Sequence, residues 1–120
     1  MELKSTFECE DFTVDSKNGI SIIKVNIIRA TYRDSNELMR VLNLLLESNQ
    51  NKIIIDFSNC QYADSIIIGI IIITLKRLRQ LEGDIRLVIS GEHMIETFSQ
   101  TRLNKIFKQF GTVEQSLEGF

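Results

Sequence analysis

Three features of the sequence predict an α/β domain built on a mixed β-sheet of about four or five strands. The first is Lys52-Ile53-Ile54-Ile55-Asp56-Phe57, a short β-branched run closed by a charge, as in a buried parallel strand. The second is a helix signal just downstream of that run. Asp64-Ser65 are good N-cap residues, an apolar run leads to Leu75, Leu78 and Leu81 with basic residues between them, and Gly83 is a good stop just past a helix. The third is Asn18-Gly19 between two apolar runs, a strong hairpin signal, which adds an antiparallel edge strand to a sheet otherwise joined by crossovers.

The elements can be taken in chain order. Residues 1–11 alternate weakly between apolar and polar and fit either a short edge strand or a loose arm. Phe12 to Asp15 reads as a strand, Ser16 to Gly19 as its turn, and Ile20 to Ile28 as the second strand. Arg29 to Arg33 reads as a loop. Asp34 or Ser35 can cap the next helix, where Glu37 suits the positive end of the dipole. Leu38, Val41, Leu42, Leu45 and Leu46 recur at helical spacing, and Ser48 to Asn51 ends the helix. Ile53 to Asp56 is the central strand.

The stretch Ile66 to Ile73 holds seven isoleucines and one glycine. Its propensity is that of a strand, and periodicity is silent for a run apolar on all sides. Length and caps favour a helix of roughly 16–18 residues, because strands average about 5–6. Ile68, Ile71, Ile72 and Leu75 are expected to face the sheet. Ile66, Ile67 and Ile70 are expected on or near the surface. Asp84 to Ile89 is a further strand, and Ser90-Gly91 a turn. Glu92 to Gln100 is a short helix with Met94, Ile95 and Phe98 inward. Ile106 to Phe110 is a last short strand, and Thr112 caps a small helix over Val113 to Leu117.

A chain of 120 residues with 43% hydrophobic and 25% charged residues is one ordinary globular domain, 1–120. A net charge of −2 gives no electrostatic reason to expect nucleic acid. The apolar run is far shorter than the roughly 20 residues that span a bilayer, and no signal peptide precedes it. Cys9 and Cys60 show no metal or redox spacing. Both thiols are expected free, in a reduced, cytoplasmic protein.

Few residues suggest chemistry. His93 is the only histidine, at an expected helix start, where an exposed or capping role is the commoner one. Asp56 and Asp64 flank one loop, but one ends a strand and the other shapes a cap. No phosphate-binding glycine pattern and no metal set is present. No catalytic residue, cofactor or metal is therefore assigned. The Asp64-Ser65 turn is the best site candidate, since a helix N-terminus offers free N–H groups and tolerates a phosphate. The plainer reading of Ser65 is a cap or a buried loop hydroxyl.

The order of these elements, with Asp56, Tyr62, Asp64-Ser65, Gly69 and Gly83 in place, resembles the STAS family. These are the bacterial anti-sigma factor antagonists and related domains of sulfate transporters. Gly83 to Val88 and Leu103-Asn104-Lys105-Ile106-Phe107 carry the resemblance further. It implies helices packed mainly on one side of the sheet. It implies a non-enzymatic protein that acts in signal transduction and transcription regulation by switching partners. The antagonist binds an anti-sigma factor, which also acts as its kinase, until phosphorylation ends the contact. Nearly two added negative charges account for that loss.

The family pattern at the loop is Asp-Ser-Ser/Thr-Gly-Leu-Gly, and here it reads Asp64-Ser65-Ile66-Ile67-Ile68-Gly69. The regulatory hydroxyl falls on Ile66, which cannot take a phosphate. Ile28-Arg29 and Arg102 also stand where the family often has glycine. The resemblance therefore implies the fold and a docking surface formed by Tyr32, Asp64, Ser65, Ile66 and Ile67, but not the usual switch. Ser65 is the alternative acceptor. The isoleucines at the cap either form an exposed interface or lie buried under the Arg29–Arg33 loop. Two functions remain in view: an anti-sigma factor antagonist that binds a kinase-like protein, alone as a monomer or weak homodimer, and a structural STAS subunit of a stress-signalling scaffold or lipid-transport complex. A small-ligand-binding or enzymatic domain is a third, for which the sequence offers no polar cluster.

Overall fold

Asn18 and Gly19, both at positive φ (55° and 78°), turn strand β1 (Phe12–Lys17) back into β2 (Ile20–Val25). The computed structural model describes residues 11–120, so the expectations for residues 1–10 and for Cys9 lie outside the described residues. After β2 come β3 (Arg29–Ala30), a 3-10 turn (Tyr32–Asp34), α1 (Ser35–Glu47), β4 (Lys52–Asp56) and β5 (Tyr62–Ala63). They are followed by α2 (Ser65–Gln80), β6 (Asp84–Val88), α3 (Glu92–Gln100), a second 3-10 turn (Leu103–Lys105), β7 (Lys108–Phe110) and α4 (Val113–Leu117).

The main sheet has five strands in the order β1-β2-β4-β6-β7. Only β1 runs antiparallel to its neighbour; the others pair in parallel, joined through α1, α2 and α3. This is the mixed α/β sheet that the sequence predicts. The strands' alternation sorts side chains by face. Ile53, Ile55, Ile85 and Leu87 point to the front, against Leu38, Leu42 and Leu45 of α1, Ile67, Ile71 and Leu75 of α2, and Met94 and Phe98 of α3. Ile20, Ile54 and Val88 point to the rear, under Val113, Leu117 and Phe120. Three helices thus cover one face, and the short α4 covers part of the other.

A buried cation fixes that rear cover. Arg86 is 8% exposed and donates to the carbonyls of Ser116 (3.0 Å), Glu118 (2.7 Å) and Gly119 (3.2 Å). Its guanidinium also lies 4.3 Å from the Phe120 ring centroid. A positive group at the end of α4 satisfies carbonyls that the helix itself leaves free.

Several sequence expectations need correction. Ile67 is 1% exposed, not at the surface. Once Asp64 caps α2, Ile67, Ile71, Thr74, Leu75 and Leu78 fall on one helical face, and that face meets the sheet. Ile68 and Ile72, expected inward, are half-buried at its flanks. Ile95 is exposed, because Met94 and Phe98 one turn apart already fill the contact of α3. β2 ends at Val25, and the expected loop contains the extra strand β3. β7 starts only at Lys108, after a 3-10 turn. Gly83 does not take the left-handed position after α2; Glu82 does, at φ 60°. Gly83 is needed for close approach, since a Cβ there would strike the Asn51 carbonyl.

Candidate functional site

The loops that follow β2 and β4 are joined by main-chain bonds into one surface. β3 and β5 pair in parallel, Arg29 with Tyr62 and Ala30 with Ala63. The N–H groups of Gln61 and Tyr62 donate to the Ile28 carbonyl at 2.8 and 3.2 Å, and that of Asp64 to Ala30 at 3.0 Å. Cys60 is buried beneath them, its thiol donating to the carbonyls of Tyr62 (3.2 Å) and Ile28 (3.5 Å). Burial pushes the Cys60 thiol above its ordinary value of 9.0, the nearby Asp34 charge adds to the rise, and hydrogen bonds with the Tyr62 and Ala30 backbone oppose it.

Asp64 locks the front of this surface. Its Oδ1 accepts from the Ile67 N–H at 3.0 Å, capping α2, and its Oδ2 accepts from the Tyr32 N–H at 2.7 Å. The Tyr32 turn has its own brace. Asp34 Oδ2 accepts from the Thr31 N–H at 2.9 Å, and the Ser35 hydroxyl donates to the Tyr32 carbonyl at 2.7 Å. Asp34 therefore serves the turn and makes no side-chain cap to α1. With its backbone held, Tyr32 projects outward, 61% exposed, and Arg33 lies over its ring at 5.9 Å.

Beside Tyr32 stand Ser65 and Ile66 on the first turn of α2. Ile66 is 51% exposed. Ser65 is exposed, and its hydroxyl makes no hydrogen bond among the described residues, since Asp64 does the capping. Seven residues on, Ile73 is 63% exposed and lies on the same face of α2 as Ile66, with the half-buried Ile70 between them. The structure thus brings Tyr32, Asp64, Ser65 and Ile66 together and leaves Ile67 beneath them in the core. Sequence reasoning misses Ile73, although a seven-residue interval is there to be counted. It also misses a ladder at the other flank, where the Arg29 guanidinium sits 4.5 Å from the Tyr62 ring and the His93 ring stacks on Tyr62 at 6.1 Å and 26°.

The groups weighed for catalysis do not converge. Asp56 accepts from the Ser58 N–H at 2.9 Å and lies toward the rear face. Asp64 is occupied by two backbone donors, and His93 leans on Tyr62. No hydrogen bond or ion pair joins any two of the three. Among the described residues there is no group of three His, Cys, Asp or Glu side chains placed to hold a metal, and no helix is long and apolar enough to cross a membrane. The arrangement offers an exposed apolar and aromatic surface with one accessible hydroxyl at a helix N-terminus.

Known proteins share this architecture. The STAS domain family profile matches residues 12–116. A candidate anti-sigma factor antagonist of Thermotoga neapolitana, the TM1081 homolog, is 31% identical over 78 residues, covering 65% of this chain and 69% of that protein. The crystal structure of TM1081 from Thermotoga maritima superposes with a TM-score of 0.82 at 22% identity, over 91% of this chain and 93% of that one. The phosphorylated form of the Bacillus cell fate determinant SpoIIAA superposes with a TM-score of 0.69 at 15% identity, over 89% and 96% of the two chains.

Proposed function

The chain belongs to the STAS domain family, and from that membership we propose that it is a non-enzymatic, cytoplasmic regulator of the anti-sigma factor antagonist kind. It docks on a kinase-like anti-sigma factor through Tyr32, Ser65 and Ile66, with Asp64 as the clamp that holds them in place. The observation that carries this reading is the bridge made by Asp64. One carboxylate fixes two loops, so an exposed tyrosine and an exposed isoleucine are held side by side at the same helix start. Rigid apolar anchors of this kind reduce the ordering cost of association. Ile66 removes the family's usual phosphate acceptor, and the exposed Ser65 hydroxyl is the available substitute. A phosphate there would place nearly two negative charges beside both anchors.

Binding to an ATPase-fold anti-sigma factor from the same genome tests this. Tyr32→Ala and Ile66→Asp should each weaken binding by about tenfold or more without lowering the melting temperature. Equal binding by all three proteins would remove the surface from the proposal. A second reading, a structural subunit of a larger assembly, draws on Ile73. Its exposure extends the apolar strip well beyond the cap, which suits a standing contact better than a switched one. Phosphosite mapping on protein from its native host separates the two. Phosphate on Ser65 favours the switch, and a stable complex with no phosphate favours the subunit.

A further inference from the structure

The rear face of the sheet carries a second concave site. α4 packs on β4, β6 and β7. Beside it lies a groove of about 430 Å³ whose lining includes Thr13, Asp15, Ile22, Lys24, Asp56 and Val113. That volume falls within the range of roughly 300–1,000 Å³ common for small-molecule sites. Strand register builds the floor: Lys24 lies opposite both Thr13 and Asp56, and Ile22 lies opposite Asp15.

Asp56 is the unusual member. It is only 6% exposed. Its Oδ1 accepts from the Ser58 N–H at 2.9 Å, while its Oδ2 accepts no hydrogen bond among the described residues. Among those residues no cation pairs with it, and Lys24 on the neighbouring strand forms no ion pair either. Among the described residues the only fully buried side-chain polar atoms without a partner are Arg86 Nε and Gln109 Nε2, so the free Oδ2 of Asp56 faces the solvent of the groove. The groove provides the space from which a donor can come.

We propose that this groove binds a small primary amine. The ammonium donates to Asp56 Oδ2, and a short apolar arm lies along Ile22 and Val113. Lys24 is the internal competitor for the same oxygen.

The test is an amide ¹H–¹⁵N NMR titration of the full chain at matched ionic strength, with n-butylamine as the probe and 1-butanol as its uncharged counterpart. Butylamine should give saturable shifts confined to the amides around Ile22, Lys24, Asp56 and Val113, and butanol should give none. Asp56→Asn keeps an acceptor for the Ser58 N–H, so the fold is retained, while affinity should fall by about tenfold or more. Lys24→Met removes the competitor and should leave affinity unchanged or raise it. No saturable shift up to about 10 mM, a range that would already detect weak binding, would overturn the proposal. So would shifts of equal size in Asp56→Asn, or shifts spread over the acidic surface.

Discussion

The backbone N–H of Tyr32 donates to the carboxylate of Asp64 at 2.7 Å across 32 residues of chain, while the same carboxylate caps α2. Cap and loop anchor are therefore one group. Asp64→Ala should cost about 1–2 kcal/mol of stability from the lost cap alone and should loosen the Tyr32 turn as well. Asp64→Asn keeps one acceptor oxygen and should recover the cap while weakening the Tyr32 tether. Urea unfolding gives the first quantity. Amide exchange at Tyr32 gives the second, and it should rise in both variants.

Ile66 and Ile67 are neighbours with opposite environments, so identical substitutions should give unlike results. Ile66→Ser changes an exposed side chain and should shift stability by no more than about 0.5 kcal/mol. Ile67→Ser opens a core cavity and buries a hydroxyl, which should cost about 3 kcal/mol or more. Thermal melting of the two variants decides it. On the proposed reading, Ile66→Ser puts a hydroxyl where the family resemblance places the phosphate acceptor, so a kinase-like partner that binds the chain should phosphorylate this variant on residue 66.

Gly83 is held by its closeness to Asn51. Adding one methyl in Gly83→Ala forces the start of β6 away from the Asn51 carbonyl, which also accepts from the Asp84 N–H at 3.0 Å. A loss of about 1–3 kcal/mol is expected, as for other overpacked contacts. Chemical denaturation would register it as a lower midpoint with an unchanged slope.

Cys60 makes stability depend on alkaline pH. Its folded pKa is raised, so above the ordinary thiol value of 9.0 the unfolded chain releases a proton that the folded chain keeps. The slope of stability with pH is then negative. The contribution is complete below that value and is lost as pH climbs from it toward the folded pKa. Cys60→Ala should flatten this part of the stability profile. The native thiol should also resist alkylation at pH 8, reacting only on unfolding.

Much of the architecture is legible in the sequence because local signals agree with the fold. Asn18-Gly19, the Asp64 cap, the β-branched run of β4 and the Thr112 cap of α4 each state their own geometry. The isoleucine run is less informative. With every position apolar, composition cannot say which face meets the sheet, and Ile67 reads as a surface residue. Gly83 shows where the helix stops but not why a glycine is there, since the reason is a carbonyl far upstream in the chain. β3 and β5 are invisible because two-residue strands have no pattern and exist only through each other. The site is readable as a place and as a cap. The second bond of Asp64, which makes it a surface, depends on long-range pairing that no local motif records.

The two-residue sheet β3–β5 sets different rules for length and for chemistry. Its bonds run between main-chain atoms of Ile28, Ala30, Gln61, Tyr62 and Asp64, whereas Tyr32, Ser65 and Ile66 only project from it. Side chains at those three positions can be exchanged without disturbing the frame, so new specificities are reachable by point changes. An inserted or deleted residue in either loop would shift the parallel register and separate the clamp from its tyrosine. A library meant to retarget this surface should vary residue identity and keep both loop lengths fixed.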